Sequence, residues 1–124
     1  MKFKIDTKEK IVVFCPEINA LDANLSAPFI TTATTLPGLD TRNLILDLHL
    51  LETADDAGIE AILAVYSHMY DNNRSCAITG INSTLTHQLK SAGPDNFNLA
   101  PTMAEAIDLV MMEELERELL DGLE

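Results

Sequence analysis

Asp55-Asp56-Ala57-Gly58 is an acidic cluster at a strand-to-helix junction, and three kinds of chemistry suit it. A carboxylate there can cap the helix by accepting free amides of its first turn, worth about 0.5–2 kcal/mol. A carboxylate can also accept a phosphoryl group beside a metal ion. That chemistry needs an acid pair after the first strand of the sheet and a lysine after a late strand. Here Ile11–Cys15 is followed by Pro16-Glu17, and no lysine follows 75–81 or 97–100, so the sequence does not support it. The third use is a protein-docking surface centred on the helix N-terminus.

Other reactive residue types carry less. Cys15 and Cys76 each sit in a short apolar run, Ile-Val-Val-Phe-Cys and Cys-Ala-Ile. Buried free thiols in strands are expected, rather than a disulfide or a metal pair. Neither cysteine has a histidine nearby in the chain, so no zinc pattern arises. His49, His68 and His87 are scattered over different elements and read as unrelated. The sequence has no Gly-rich phosphate loop, no G-x-S-x-G elbow and no His-Glu metal helix. The expectation is a protein that is not an enzyme, with no cofactor and no metal. Asn24-Leu-Ser, Asn73-Arg-Ser and Asn82-Ser-Thr match a glycosylation pattern that means nothing without a secretory signal.

A length of 124 residues leads to the expectation of one domain, 1–124, with chain enough for one core. A hydrophobic share of 47% is too high for a disordered acidic protein. The net charge of −12 excludes nucleic acid and anionic membrane as partners, because their phosphates would be repelled over most of the surface. It leaves room for a basic protein partner. No apolar run approaches the length of a membrane span, and Met1-Lys-Phe-Lys-Ile-Asp lacks the apolar centre of a signal peptide. A soluble, cytoplasmic protein is the expectation.

The elements that must position the cluster follow from hydrophobic periodicity. Lys2–Ile5 reads as a short strand, and Lys8-Glu9-Lys10 as a turn. Ile11–Cys15 is an almost unbroken apolar run, hence a strand buried on both faces and stopped by Pro16. Asn19 to about Thr35 reads as a helix, with Leu21, Leu25, Phe29 and Ile30 near helical spacing. Asn43–Leu51 alternates, so Leu44, Leu46, Leu48 and Leu50 should form one core face. Ile59, Ile62, Leu63, Tyr66 and Met69 predict a helix from about Asp56 to Tyr70 packed on that sheet. Ser75–Ile81 is a further strand, and Ser83–Ser91 a short helix closed by a Gly93 cap and a Pro94 stop. Phe97–Ala100 suits a last short strand. Thr102-Met-Ala-Glu105 is a capping box. It opens a helix over about 102–121 with Ala106, Ile107, Val110, Met111, Leu115 and Leu119 on one side. The C-terminal half of that helix is acidic, with Glu113, Glu114, Glu116, Glu118 and Asp121 against Arg117 alone. It reads as a tail that frays or docks on something basic. The fold class is α/β, with a mixed, mostly parallel sheet of four to five strands and about four helices mainly on one face.

Three passages carry a resemblance over about Ile11 to Ile107. Leu44-Ile-Leu-Asp-Leu followed by Ala54-Asp-Asp-Ala-Gly-Ile is similar to a strand and an Asp-Ser-Ser-Gly-Leu turn. Leu89-Lys-Ser-Ala-Gly93, Phe97 and Thr102-Met-Ala-Glu-Ala-Ile are similar to a Leu-x-x-x-Gly segment and a closing Thr-x-x-x-Ala-hydrophobic helix. Pro16-Glu-Ile-Asn19 is similar to a Gly-Glu-Leu-Asp turn. Together they resemble the STAS domain family, the anti-sigma factor antagonists of bacteria. The resemblance implies a STAS-like topology. It also implies a protein-binding switch whose partner is an anti-sigma factor and serine kinase with an ATP-binding fold. In the family, phosphorylation of the first serine of the turn breaks that complex. Physically, the phosphoryl group adds about −1.5 to −2 charge to the docking surface.

The departures lie in the turn. Asp55 keeps the family's Asp, Asp56 stands at the phosphorylated serine, Ala57 at the second serine, and Gly58 keeps the Gly. Asn19 replaces an Asp, and Pro16 a Gly. Residue 56 therefore takes no part in a serine phosphorylation cycle. Either Asp56 mimics phosphoserine, with one charge fewer and no third oxygen, or it permits constitutive binding. Thr53, Ser75, Ser83 and Thr84 are expected at the same end of the sheet as hosts for a relocated switch. The expected partner-binding residues are Thr53, Asp55, Asp56, Ala57, Gly58, Glu17 and Asn19. The alternative is a structural or small-ligand-binding STAS subunit of a larger assembly or a transporter-associated system.

Overall fold

The computed structural model describes residues 1–93 and 97–122. A hairpin opens the chain: β1 (Phe3–Thr7) lies antiparallel to β2 (Ile11–Pro16), turning through Lys8, whose N–H donates to the Ile11 carbonyl at 2.7 Å. Every residue of β2 is buried, as its unbroken apolar run requires. A two-residue strand, β3 (Ala20–Leu21), precedes helix α1 (Ala23–Thr34). The helix therefore begins four residues after the expected Asn19. The reason is local: the Asp22 carboxylate accepts the Asn24 and Leu25 amides at 3.0 and 3.2 Å, the geometry of an N-cap. Pro28 lies inside α1, and the helix continues through it.

Strand β4 (Asn43–Asp47) is shorter than the expected Asn43–Leu51. Asp47 Oδ1 turns back to accept the His49 N–H at 3.3 Å, which folds the chain out of the sheet. Alternation then fails: Leu48 and Leu51 are buried, while Leu50 is 41% exposed. The predicted leucine face is thus Leu44, Leu46 and Leu48 without Leu50. A second short strand, β5 (Thr53–Ala54), leads into α2 (Asp56–Asp71). Strand β6 (Cys76–Thr79), helix α3 (Ser83–Ala92), strand β7 (Leu99–Ala100) and helix α4 (Met103–Gly122) follow. Gly93 closes α3 by donating to the Leu89 carbonyl at 2.8 Å. Its backbone is extended rather than left-handed. Glycine is needed there for space, because a Cβ would come within 2.5 Å of the Phe97 ring. The expected Pro94 stop lies outside the described residues.

The main sheet has the order β1-β2-β4-β6-β7, with β1 antiparallel and the rest parallel. The fold is the mixed, mostly parallel α/β arrangement anticipated. One face carries Val12, Phe14, Leu44, Leu46 and Ile78 and is covered by α1, α2 and α3. The other carries Ile11, Val13, Ile45 and Ala77 and is covered by Ala106 and Val110 of α4. Both faces of the central strands are therefore dry, which is why β4 is apolar at successive positions.

Two expectations for α4 are corrected. Leu115 and Leu119 do not join its core side: they are 56% and 62% exposed, with Met112 nearby on the same outer face. Nor is the start of its acidic half loose, while Glu116, Glu118 and Asp121 beyond it are exposed. Glu113 accepts from Tyr70 Oη at 2.7 Å and from Asn98 Nδ2 at 3.0 Å, while Glu114 accepts from Arg117 at 2.8 Å. Arg117 also donates to Ser75 Oγ at 2.7 Å and to Asn43 Oδ1 at 2.9 Å. Burial alone would raise the carboxyl of Glu113. Hydrogen bonds from Ser75, Asn98 and Tyr70 and the Arg117 charge outweigh it and hold the group below its ordinary range. Glu114 is lowered in the same way, against its own burial, by Arg117, Asn43 and Lys10. At the start of α4, Thr102 Oγ1 accepts the Glu105 N–H at 3.2 Å, the first half of the predicted box.

Candidate docking site

The parallel strands end together, and the loops beyond their C-terminal ends meet. β3 pairs with β5, Ala20 beside Thr53 and Leu21 beside Ala54. The Asn19 carbonyl accepts the Glu52 and Thr53 amides at 2.8 and 3.1 Å, and the Leu21 carbonyl accepts the Asp55 amide at 3.2 Å. The loop 16–19 and the turn 53–58 are thereby one surface. Side chains from the start and middle of α3 brace it: Asn82 donates to the Glu52 carbonyl at 2.9 Å, and Gln88 to the Ala54 carbonyl at 3.0 Å.

Within the turn the two acids have separate positions. Asp55 is the N-cap, its Oδ1 accepting the Gly58 amide at 2.8 Å. Asp56 occupies the first turn of α2, exposed, where its negative charge suits the helix N-terminus. Ala57 is half-buried. Gly58 is buried, and a Cβ there would overlap the Leu21 carbonyl oxygen. Its part is to let α2 lie against β3. Thr53, Glu17 and Asn19 are exposed on the same surface. A groove of about 390 Å³ starts at Asp56 and runs between Ile59 and Glu60 of α2 and His87 and Ser91 of α3. A second cleft, on the side of the loop 16–19, is lined by Glu17, Asp22 and Glu52 around Ile18, Leu25 and Leu50. Apolar floors with acidic margins suit a basic partner.

Of the residues expected to host a relocated switch, Thr53, Ser83 and Thr84 are exposed at this end. Ser75 is not. It precedes β6, at the opposite end of the sheet, fully buried, with Arg117 on its hydroxyl. Parallel strands place residues before and after the strand at opposite ends, so the start of β6 cannot share the turn's surface.

The fold also makes a grouping that spacing along the chain did not suggest. Cys15 Sγ lies 3.8 Å from His49 Nδ1, which lies 2.9 Å from Asp47 Oδ1. Cys15 and Cys76 are buried free thiols, as expected, but Cys15 does have a histidine beside it. The parallel register of β2 on β4, Phe14 beside Leu46, brings Cys15 next to Asp47, and the Asp47 turn brings His49 back. Burial, then the charges of Asp47 and Glu17, push the Cys15 thiol up, and Lys4 opposes them. Such a thiol is a poor nucleophile.

A small α/β domain with loops gathered at the strand ends is the class this geometry defines. The STAS domain matches residues 3–106, and the chain belongs to the STAS domain family. No curated protein matches the sequence. Among solved structures, a putative anti-sigma factor antagonist from Thermotoga maritima is 17% identical with a TM-score of 0.72, over 88% of this chain and 94% of that one. The Bacillus cell fate determinant SpoIIAA in its phosphorylated form is 17% identical with a TM-score of 0.65, over 88% and 99%. The murine solute carrier 26 family member A9 anion transporter is 17% identical with a TM-score of 0.68. That match spans 82% of this chain but only 18% of the transporter. Among the described residues, no helix is long and apolar enough to cross a membrane.

Proposed function

We propose that this chain is a non-enzymatic protein-interaction module in bacterial signalling, of the anti-sigma factor antagonist kind. Its partner is an anti-sigma factor and serine kinase with an ATP-binding fold. The contact is made by Thr53, Asp55, Asp56 and Ala57 with Glu17 and Asn19, and Gly58 shapes the turn beneath them. The observation that carries this reading is the exposed Asp56 at the head of a groove, on a surface that β3 and β5 hold together. Similarity to an anti-sigma factor antagonist and to SpoIIAA supports the kind of partner. A carboxylate at residue 56 takes this position out of any serine phosphorylation cycle, and binding is constitutive.

The test is a pull-down with wild type, Asp56→Ser and Asp56→Lys, scored for a serine kinase with an ATP-binding fold by mass spectrometry. Wild type retains it and Asp56→Lys loses it if the proposal is right. Capture by Asp56→Ser alone would mean that Asp56 is a frozen mimic of phosphoserine. Retention by all three, or by none, removes residue 56 from docking. A second reading, a structural or small-ligand-binding STAS subunit of a larger assembly or transporter-associated system, then takes its place. The similarity to the transporter is what favours that alternative.

A further inference from the structure

We propose that Cys15, Asp47 and His49 form a binding site for a thiophilic divalent transition-metal ion of the zinc or cobalt type. The three residues offer a sulfur, a carboxylate oxygen and an imidazole nitrogen, all within 4.8 Å of one another. That donor set is the one borderline-soft cations select from a background of magnesium and calcium, which prefer oxygen alone.

The distances fit. Tetrahedral zinc, with bonds of about 2.3 Å to sulfur and about 2.0 Å to nitrogen, holds those two donors about 3.5 Å apart. Cys15 Sγ and His49 Nδ1 are 3.8 Å apart. The nitrogen and oxygen of a tetrahedral site lie about 3.3 Å apart, so the 2.9 Å hydrogen bond between His49 and Asp47 opens slightly when the ion replaces the shared proton. His49 Nδ1 faces both other donors. A catalytic Cys-His-Asp relay would instead use the two ring nitrogens for different partners, so the geometry suits convergence on one ion better than proton relay.

The surroundings are built for it. Cys15 and Asp47 come from adjacent rigid strands, and only His49 comes from a turn, so two ligands are held by the sheet. Gly80 backs the group with φ +81°. A Cβ there would come within 2.9 Å of Asp47 Oδ1 and 3.0 Å of His49 Cβ, so the missing side chain makes the room the ligands occupy. Asp47 and Glu17 place negative charge around the sulfur that Lys4 offsets only in part. The ion binds as M²⁺ + Cys–SH → Cys–S–M⁺ + H⁺, with the proton leaving to solvent, while His49 binds as neutral imidazole and Asp47 as carboxylate. Water fills the fourth position, as in sites with three protein ligands.

Cobalt(II) titration of the full chain tests this, because a thiolate bound to cobalt gives a sulfur-to-metal charge-transfer band. Wild type and Cys76→Ala show the band at one ion per chain, and Cys15→Ser does not. His49→Ala removes a direct ligand and weakens binding by more than the roughly 10–100-fold that loss of an outer-shell partner costs, while His68→Ala and His87→Ala leave it unchanged. Added zinc raises the melting temperature of wild type but not of His49→Ala. His49 is largely exposed, so that variant keeps the fold even if a Cys15 variant does not. Absence of the band in wild type, or equal affinity in wild type and His49→Ala, overturns the proposal and leaves an ordinary hydrogen-bonded cluster.

Discussion

The carbonyl oxygen of Asn19 accepts the amide of Thr53 at 3.1 Å, and two loops far apart in sequence become one surface. The bond is backbone to backbone. It does not depend on residue 19 being the aspartate the family usually has, so the replacement by Asn leaves the surface intact. What the side chain at 19 adds is chemistry at an exposed position, not scaffolding.

Gly58→Ala is expected to destabilise the protein by about 1–3 kcal/mol, the usual range for forced overpacking. Helix propensity alone argues the other way, since alanine is favoured over glycine by about 1 kcal/mol inside a helix. The Leu21 carbonyl decides the sign, because backbone oxygen cannot rotate away from the new Cβ. Urea denaturation measures it. An unchanged or raised midpoint means that β3 yields without penalty.

Asp55→Ala and Asp56→Ala should separate stability from docking. Loss of the Asp55 cap costs about 0.5–2 kcal/mol, because the Gly58 amide is left without its partner. Loss of the exposed Asp56 charge costs on the order of 0.3–1 kcal/mol, through the helix dipole alone. Parallel thermal melts should therefore rank Asp55→Ala below Asp56→Ala. The reverse order would mean that Asp56, not Asp55, is the cap that matters in solution.

The α4 network makes stability fall in acid. The folded carboxyls of Glu113 and Glu114 lie below their ordinary value of 4.5. A depressed group adds stability above its unfolded pKa and loses it as pH drops through the folded one. Denaturant titrations from about pH 7 down to about pH 3 should show this limb, and Glu113→Gln should flatten it. A Glu113→Gln slope equal to that of wild type would show that Tyr70 and Asn98 do not favour the charged form.

Much of the site was legible because its signals are local. Capping at Asp55, the exposed first-turn Asp56 and the helix that follows all depend on neighbours within one turn. The same holds for β2, whose apolar run needs burial wherever it is placed. Boundaries set by a single side chain were less legible. Asp22 starts α1 late, and Asp47 ends β4 early, because each carboxylate competes with regular structure for backbone amides.

By itself, the sequence determined the alternation of strands and helices, the apolar faces, and the acidic turn that stands where a serine is usual. Tertiary structure alone decided which distant residues meet. Strand order placed Cys15 beside Asp47 and His49, sent Ser75 to the far end of the sheet, and set Glu113 of α4 against Tyr70 and Asn98. Periodicity reports which face of an element is apolar, but not which neighbour covers it. Polar partners are chosen by register and crossover, and those are settled only when the whole core packs.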